Sequence, residues 1–383
     1  MRSEPNYNTI PVGQLGIIAL PGCEELANKI DNYLIRWRFQ RNSEHKDTLA
    51  FAGYEKSTYL INMDFPRFGT GEGKAALNQT VRGYDIYILC DVFNYGVTYK
   101  MYGITVPMSP DEHFANLKRA ISAIEGKAKR VSVIMPMLYE GRQHKRSSRE
   151  SLDCAMMLQE LHNMGVENFI TFDAHDPRVM NAIPLCGFES ISPAYQMIKA
   201  AVNNVDNLKI NKDNIMIISP DEGGMSRCIY YSTVLGVELG MFYKRRDFSR
   251  IVDGRNPIIA HEFLGDNVEG KDIIIVDDMI SSGESMIEVA TKLKELKAAR
   301  IYIFSAFGLF CNGFDAFDKA FQEGIIDRVF TTNLIYGTPE LLSKDWYIRV
   351  DMSKYLSYII DTLNHDTSIS DLLDPAEKIN TLL

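Results

Sequence analysis

A series of short, nearly uninterrupted apolar runs, each closed by a polar or glycine-containing turn, limits most strongly what this chain can fold into. They fall at residues 16–20, 84–90, 130–135, 168–172, 214–218, 272–276, 300–304 and 328–332. A strand with one wet face alternates apolar and polar residues. Runs without alternation need cover on both faces, the condition of a mainly parallel sheet flanked by helices.

Helical segments lie between these runs. The clearest starts at Ser109, an N-cap residue, with Pro110 at the first helical position and Asp111 and Glu112 where the helix dipole favours acids. Phe114, Leu117, Ile121 and Ile124 then share one face, and Gly126 closes the segment. The same pattern predicts helices over 149–164 and 284–297, the second with Met286, Ala290, Leu293 and Leu296 inward. Strand and helix alternate on both sides of the middle, so the sequence predicts an α/β chain of two units, 1–190 and 191–383. Near the end, Asp351 is placed to cap a packing helix whose Tyr355, Ile359, Ile360 and Leu363 lie along one side.

Charge and cysteine usage narrow the function. The chain has 41 basic and 50 acidic residues, a formal charge of -9, which argues against nonspecific attraction to nucleic acid or an anionic membrane. Cys23, Cys90, Cys154, Cys186, Cys228 and Cys311 stand singly, without zinc spacing or disulfide clustering, and read as core residues in a reducing compartment. The first residues hold one early Arg and only a short apolar run, too interrupted for a signal peptide or membrane span. A cytoplasmic protein is the expectation.

The segment 272–285, DIIIVDDMISSGES, carries the most chemistry. A strand runs into two acids, then into a turn of small residues leading to a helix N-terminus, whose backbone N–H groups can cradle a phosphate. Ser281, Ser282 and Ser285 add hydroxyl donors around Gly283. Asp277 and Asp278 would repel a phosphate; they suit sugar hydroxyls or a cation. By contrast GEGK at 71–74 lacks the first glycine and the hydroxyl of a P-loop.

Two acids, two variable residues and a hydroxyl-rich glycine turn resemble the phosphoribosyl-pyrophosphate signature of type I phosphoribosyltransferases and of ribose-phosphate pyrophosphokinases. Other motifs resemble the pyrophosphokinases alone. SPDEGGMSR at 219–227 is similar to their SPD-x-GG-x-x-R, and RQHKRSSRE at 142–150 to their ATP-binding Arg-Gln loop. DAHDP at 173–177 is similar to their strand-end Asp-x-His, YKRRD at 243–247 to their catalytic loop, and RFGTGE at 67–72 to their adenine-contacting RFSDGE. The motifs stand in the family's order, and the resemblance runs from about Gly16 to Leu373.

What the resemblance implies is two tandem type I phosphoribosyltransferase-like domains and a magnesium-dependent enzyme. That enzyme would transfer the diphosphoryl group of ATP to ribose 5-phosphate, giving phosphoribosyl pyrophosphate and AMP. Phe68, Thr70, Glu72, Arg142 and Gln143 would contact ATP, and His175 and Asp221 would associate with Mg2+. Lys244 and Arg246, in a loop between strands, would close over the β-phosphate. Asp277 and Asp278 would face the ribose hydroxyls, and Ser281, Ser282, Gly283, Glu284 and Ser285 the 5-phosphate. A homo-oligomer is implied as well. The chain departs from the pattern at SSGES, with Ser281 for an acid and Glu284 for a glycine, at Thr70 and His144, and in extra residues around 95–106 and before Pro66. Two other functions account for parts of the set: a catalytically silent paralogue that regulates a synthetase, and a phosphoribosyltransferase.

Overall fold

The computed structural model describes residues 9–41, 53–246 and 258–383. Its contacts divide the chain into two units, each with its own sheet. One comprises Met1–Ser192, Asn333–Tyr336 and Asp351–Asp374; the other comprises Pro193–Thr332, Gly337–Val350 and Pro375–Leu383.

The first unit opens with β1 (Gln14–Ala19), α1 (Glu24–Arg41), β2 (Met63–Asp64), β3 (Ala76–Leu77) and β4 (Tyr84–Leu89). It continues with β5 (Thr98–Met101), β6 (Ile104–Pro107), α2 (Pro110–Ile124), β7 (Arg130–Ile134), α3 (Asp153–Asn163), β8 (Asn168–Phe172) and β9 (Gly187–Ile191). The main sheet has the order β1-β4-β7-β8-β9, parallel throughout. Its apolar runs are covered on both faces: Ile17, Ile18, Ile86, Ile88 and Phe169 are wholly inaccessible. The α2 start is a full capping box, with Ser109 accepting from the Glu112 amide and Glu112 accepting from that of Ser109.

The second unit runs α4 (Ala194–Asn204), β10 (Ile215–Ser219), α5 (Met225–Leu235), β11 (Glu238–Arg246), β12 (Ile258–Leu264) and β13 (Asp272–Ile280). It then adds α6 (Glu284–Glu295), β14 (Ile301–Gly308), α7 (Asp315–Gln322), β15 (Arg328–Thr332), α8 (Pro339–Leu342) and β16 (Tyr347–Val350). The sheet order is β12-β11-β10-β13-β14-β15-β16, parallel except for β12. From β10 the chain steps to one side for β11 and to the other for β13. The order therefore reverses between β10 and β13, the place where open α/β sheets leave a crevice beyond the strand ends.

The expectation of one division near residue 190 puts the packing helix expected after Asp351 in the second half. The contacts return it to the first unit as α9 (Ser353–Asn364), packed along α1. Nor is α9 one-sided: Asp361 and Asn364 are as buried as Ile359 and Ile360. Arg38 of α1, 1% exposed, donates to Asp361 at 2.8 and 3.0 Å and to Asn364 at 2.7 Å, and Arg41 pairs with the other Asp361 oxygen. Asn364 also donates to Asp85, which Arg130 holds with two hydrogen bonds of 2.7 Å. Burial alone would raise the Asp361 carboxyl, but Arg38 and Arg41 hold it below the usual carboxylate range.

Other differences are local. The helix expected from residue 149 starts at Asp153, because Ser148 donates to Glu150 and Ser151 to Asp153, side-chain bonds that compete with helix. The helix expected to reach 297 ends at Glu295; Leu296 lies past the last turn and is exposed, while Ala298 takes the buried place. The 272–276 run continues as strand to Ile280, because β14 goes on pairing with it as far as Gly308. Cys311 is exposed, not in the core; the other five cysteines are buried or half-buried. No helix among the described residues is long and apolar enough to cross a membrane.

The network carries a pH dependence. His365 hydrogen-bonds the Asp361 carbonyl at 2.7 Å, and burial pushes its imidazole down to about 4, against the attraction of Asp361. In the unfolded chain the ring takes a proton near pH 6.5, so as pH falls the unfolded state is protonated first. The contribution of this group to stability is full above about pH 6.5 and drops towards pH 4, by about 3 kcal/mol. Urea midpoints followed across that range should show wild type losing stability relative to His365→Gln; parallel curves would contradict the assignment.

Candidate active site

In the second unit, two loops flank the point where the strand order reverses. After β10, Ser219 donates to the Asp221 carbonyl at 2.6 Å and Asp221 accepts from the Gly223 amide at 2.9 Å, a turn that delivers the chain to Gly224, the start of α5. Gly224 packs closely against both loops: a Cβ there would lie 3.0 Å from Ser219 Oγ, 3.6 Å from the Val276 carbonyl and 3.7 Å from Asp277 Oδ1. The first turn of α5 carries Arg227, whose guanidinium lies 3.6 Å from Asp277. The SPDEGG turn and the acid pair are thus neighbours. Arg227 closes the SPDEGGMSR motif, and this contact gives it a place in the site.

The acid pair sits within β13, not in the turn after it. Asp278 is 3% exposed, whereas the Asp277 side chain is 24% exposed. Burial first, then the charge of Asp278 and a hydrogen bond between the two carboxyls, push Asp277 well above the usual range, with Arg227 opposing. Two carboxyls so placed share a proton more easily than they both ionise. An incoming hydroxyl donor or cation relieves that repulsion.

Beyond Ile280, the turn 281–283 is tied to the end of β14: Leu309 and Phe310 amides donate to the Ile280 carbonyl, and the Cys311 amide donates to Ser281 at 2.8 Å. Gly283 then starts α6, whose N-terminus follows the turn directly, with Ser281 and Ser282 half-buried and Ser285 exposed. Glu284, the departure that most threatens a phosphate, has its carboxylate accepting from Asn312 Nδ2 at 3.3 Å.

Lys244 and Arg246 differ from expectation in backbone. They belong to β11, paired antiparallel with His261 and Ile258 of β12, with an irregularity between Arg245 and Arg246. They are strand residues and not loop residues because that pairing continues the sheet outward. Their side chains, and Asp247 of the YKRRD motif, lie outside the described residues.

In the first unit, the Arg-Gln loop and the DAHDP loop follow adjacent parallel strands, β7 and β8, and meet through side chains. The His144 and His175 rings are 5.2 Å apart, and His144 Nε2 lies 3.5 Å from Asp176 Oδ2. Asp176 caps the turn that follows and is held near 2, chiefly by hydrogen bonds from Arg178. His144, read in the sequence as a departure, therefore joins the two loops. Arg142, Gln143 and His175 are exposed beside this junction, with the Gln143 amide donating to the Glu140 carbonyl.

The RFGTGE loop is a separate feature. Phe68 is 55% exposed, Thr70 donates to Glu72 at 2.9 Å, and the loop is closed by the Phe68 amide on the Glu72 carbonyl. Its described partners are α2 and the β5–β6 hairpin, within the stretch of extra residues noted in the sequence. Among the described residues no group of three or more His, Cys, Asp or Glu is arranged to hold a metal ion. Such a donor set does not build a protein cage. It does suit a divalent cation that keeps its water and arrives with phosphates.

Comparison with known proteins fits this layout. The model of the N-terminal domain of ribose phosphate pyrophosphokinase matches residues 15–165, that of the phosphoribosyl transferase domain 188–308, and that of the phosphoribosyl synthetase-associated domain 250–374. The chain belongs to the ribose-phosphate pyrophosphokinase family. It is 26% identical over 313 residues to a ribose-phosphate pyrophosphokinase of Vibrio parahaemolyticus, covering 80% of this chain and 90% of that protein. A Shewanella oneidensis pyrophosphokinase is 27% identical over 307 residues, covering 79% and 88%. The crystal structure of phosphoribosylpyrophosphate synthetase from Mycobacterium smegmatis superposes with a TM-score of 0.72 at 18% identity, covering 92% of this chain and 99% of that one. That likeness is one of fold.

Gly283 offers a controlled test of the pyrophosphokinase-like turn. Its φ is +84°, and a Cβ would lie 2.2 Å from the Phe317 ring; Gly313 has φ +78° with open space around it. Gly313→Ala should cost about 1 kcal/mol from backbone strain alone, whereas Gly283→Ala should cost about 2 kcal/mol or more because the ring must also move. Denaturant unfolding measures both; equal losses would mean that Phe317 gives way freely.

Proposed function

We propose that this chain is a ribose-phosphate diphosphokinase. In the reaction the C1 hydroxyl oxygen of ribose 5-phosphate attacks the β-phosphorus of ATP, the bond to the bridging oxygen of the α-phosphate breaks, and AMP leaves. The observation that carries this reading is the meeting, where the strand order of the second unit reverses, of the Asp277–Asp278 pair with the SPDEGG turn through Arg227 and Gly224. An acid pair there followed by the N–H groups of α6 offers acceptors for sugar hydroxyls and donors for a 5-phosphate, the two ends of a pentose monophosphate.

The remaining assignments follow the family resemblance. Arg142 and Gln143 grip the nucleotide, and Phe68, Thr70 and Glu72 contact its base. His175 and Asp221 hold Mg2+, in part through water, and Mg2+ when bound offsets the triphosphate charge. Lys244 and Arg246 supply positive charge to the transferring group, whose transition state gathers charge on phosphoryl oxygens. A homo-oligomeric assembly and a cytoplasmic location belong to the same reading and rest on the family.

The silent-paralogue reading draws on SSGES. The contact of Glu284 with Asn312 supports an open turn instead, since it gives the carboxylate a partner other than the anion site. Purified protein with Mg2+, ATP and ribose 5-phosphate should form AMP and phosphoribosyl pyrophosphate, with AMP formation dependent on the sugar. Lys244→Ala should lower kcat about 100-fold or more with an unchanged unfolding midpoint. Folded protein that binds both ligands without turnover would favour the silent paralogue, and base-dependent release of pyrophosphate would favour a phosphoribosyltransferase. Asp277→Asn should raise the KM for ribose 5-phosphate more than that for ATP; the opposite split would remove the acid pair from the sugar site.

A further inference from the structure

The β5–β6 hairpin is attached to the protein in an unusual way. None of its strand residues is buried, and at its tip Tyr102 and Ile104 are 78% and 66% exposed. A hairpin that adds nothing to the core adds little to stability. Its ordered attachments instead converge on the 67–72 loop and on the α2 start.

Those attachments are specific. The Tyr102 amide donates to the Gly69 carbonyl at 2.8 Å, from a turn in which Tyr102 and Gly103 both have positive φ, as a two-residue hairpin turn requires. Met101 fills the space over Gly71, where a Cβ would lie 2.8 Å from its sulfur. The Tyr99 ring lies under the Arg67 guanidinium at 4.6 Å, and its hydroxyl donates to Glu112, the acid of the α2 capping box. Arg67 is 10% exposed; it donates to the Gly71 carbonyl at 2.9 Å and lies 3.6 Å from Glu112. Arg67 is therefore an internal strut held between hairpin and helix, and Phe68, next along the chain, is left displayed.

We propose that the β5–β6 hairpin is a positioning element for the base end of the nucleotide: Tyr99, Met101 and the Tyr102 amide fix the shape of the 67–72 loop and thereby set which purine base it accepts. This rests on the reading above that Phe68, Thr70 and Glu72 contact the base. A loop held from behind keeps its contact residues in one geometry before the ligand arrives, and the ordering cost falls on folding and not on binding. Thr70 and Glu72, already bonded to each other, then present a fixed pattern to the base edge. A purine with an amino group and one with a carbonyl differ at that edge in donor and acceptor.

The hairpin ends are adjacent, the Met108 amide donating to the Val97 carbonyl at 2.8 Å, so 98–107 can be replaced by Asn-Gly without moving the flanks. This shortened chain, Tyr99→Phe, Tyr99→Ala and Phe68→Ala would be compared with wild type. The measurements are KM for ATP, GTP and ribose 5-phosphate, kcat, the unfolding midpoint, and Kd for a non-hydrolysable ATP analogue by calorimetry with Mg2+. Shortening is expected to raise the KM for ATP and the analogue Kd about tenfold and to narrow the preference for ATP over GTP, with kcat, the sugar KM and the midpoint nearly unchanged. Tyr99→Phe, which keeps the ring over Arg67, should do less than Tyr99→Ala. If Phe68→Ala weakens ATP and the hairpin variants do not, the hairpin proposal falls and the base-contact reading stands. If Phe68→Ala leaves ATP binding unchanged, both fall. A matched drop in kcat and midpoint, without a change in base preference, would make the hairpin a structural part only and overturn the proposal.

Discussion

Asp361 lies between two arginines where almost no water reaches it, and the first unit is assembled around that placement. A buried guanidinium such as Arg38 is tolerable only if its charge is matched and its donors are occupied. Asp361 and Asn364 do both, while the rings of Tyr54 and Tyr59 lie 4.6 and 5.0 Å from the guanidinium. Asn364 carries the connection on to Asp85 and Arg130, at the beginnings of β4 and β7. Far along the chain from β1, β4 and β7, α9 therefore fixes the lower ends of their sheet. The Arg-Gln and DAHDP loops leave from the opposite ends of β7 and β8.

That division of labour recurs in the second unit. Its strands begin in ion pairs such as Arg300 with Asp272 at 2.6 Å and end in the small-residue turns around Asp221 and Gly283. Parallel sheets favour this arrangement, because every strand delivers its carboxyl end to the same edge, where helix N-termini also gather. The reversal of order between β10 and β13 parts two of those turns, and Asp278 is buried at that edge with Asp277 half-buried beside it.

Much of this was legible in the sequence because the signals were local. The unbroken apolar runs located eight strands of the two main sheets and missed β9, β11, β12 and β16, while Ser109 with Pro110 and Glu112 gave the α2 start to the residue. The phosphate-loop motif and its companions led to the family. What was not legible depended on long-range partners. The strand character of Asp277 and Asp278 is decided by the reach of β14, and Lys244 is a strand residue because β12 lies beside it. The segment read as a packing helix with one apolar side, and nothing near Asp361 in sequence reveals Arg38. His144 looked like a departure until Asp176 and His175 stood next to it.

The return of the chain to its first unit has a consequence for synthesis. The strands of that unit are all made by Ile191, but the carboxylate that matches Arg38 is made about 170 residues later. At ribosomal rates of about 5–20 residues per second, the nascent sheet waits on the order of ten to thirty seconds with an unmatched guanidinium at the place α9 will occupy. Until α9 leaves the ribosome the first unit lacks the acid that matches Arg38, so a chain stopped before Asp361 is left with a cation that its own fold cannot neutralise.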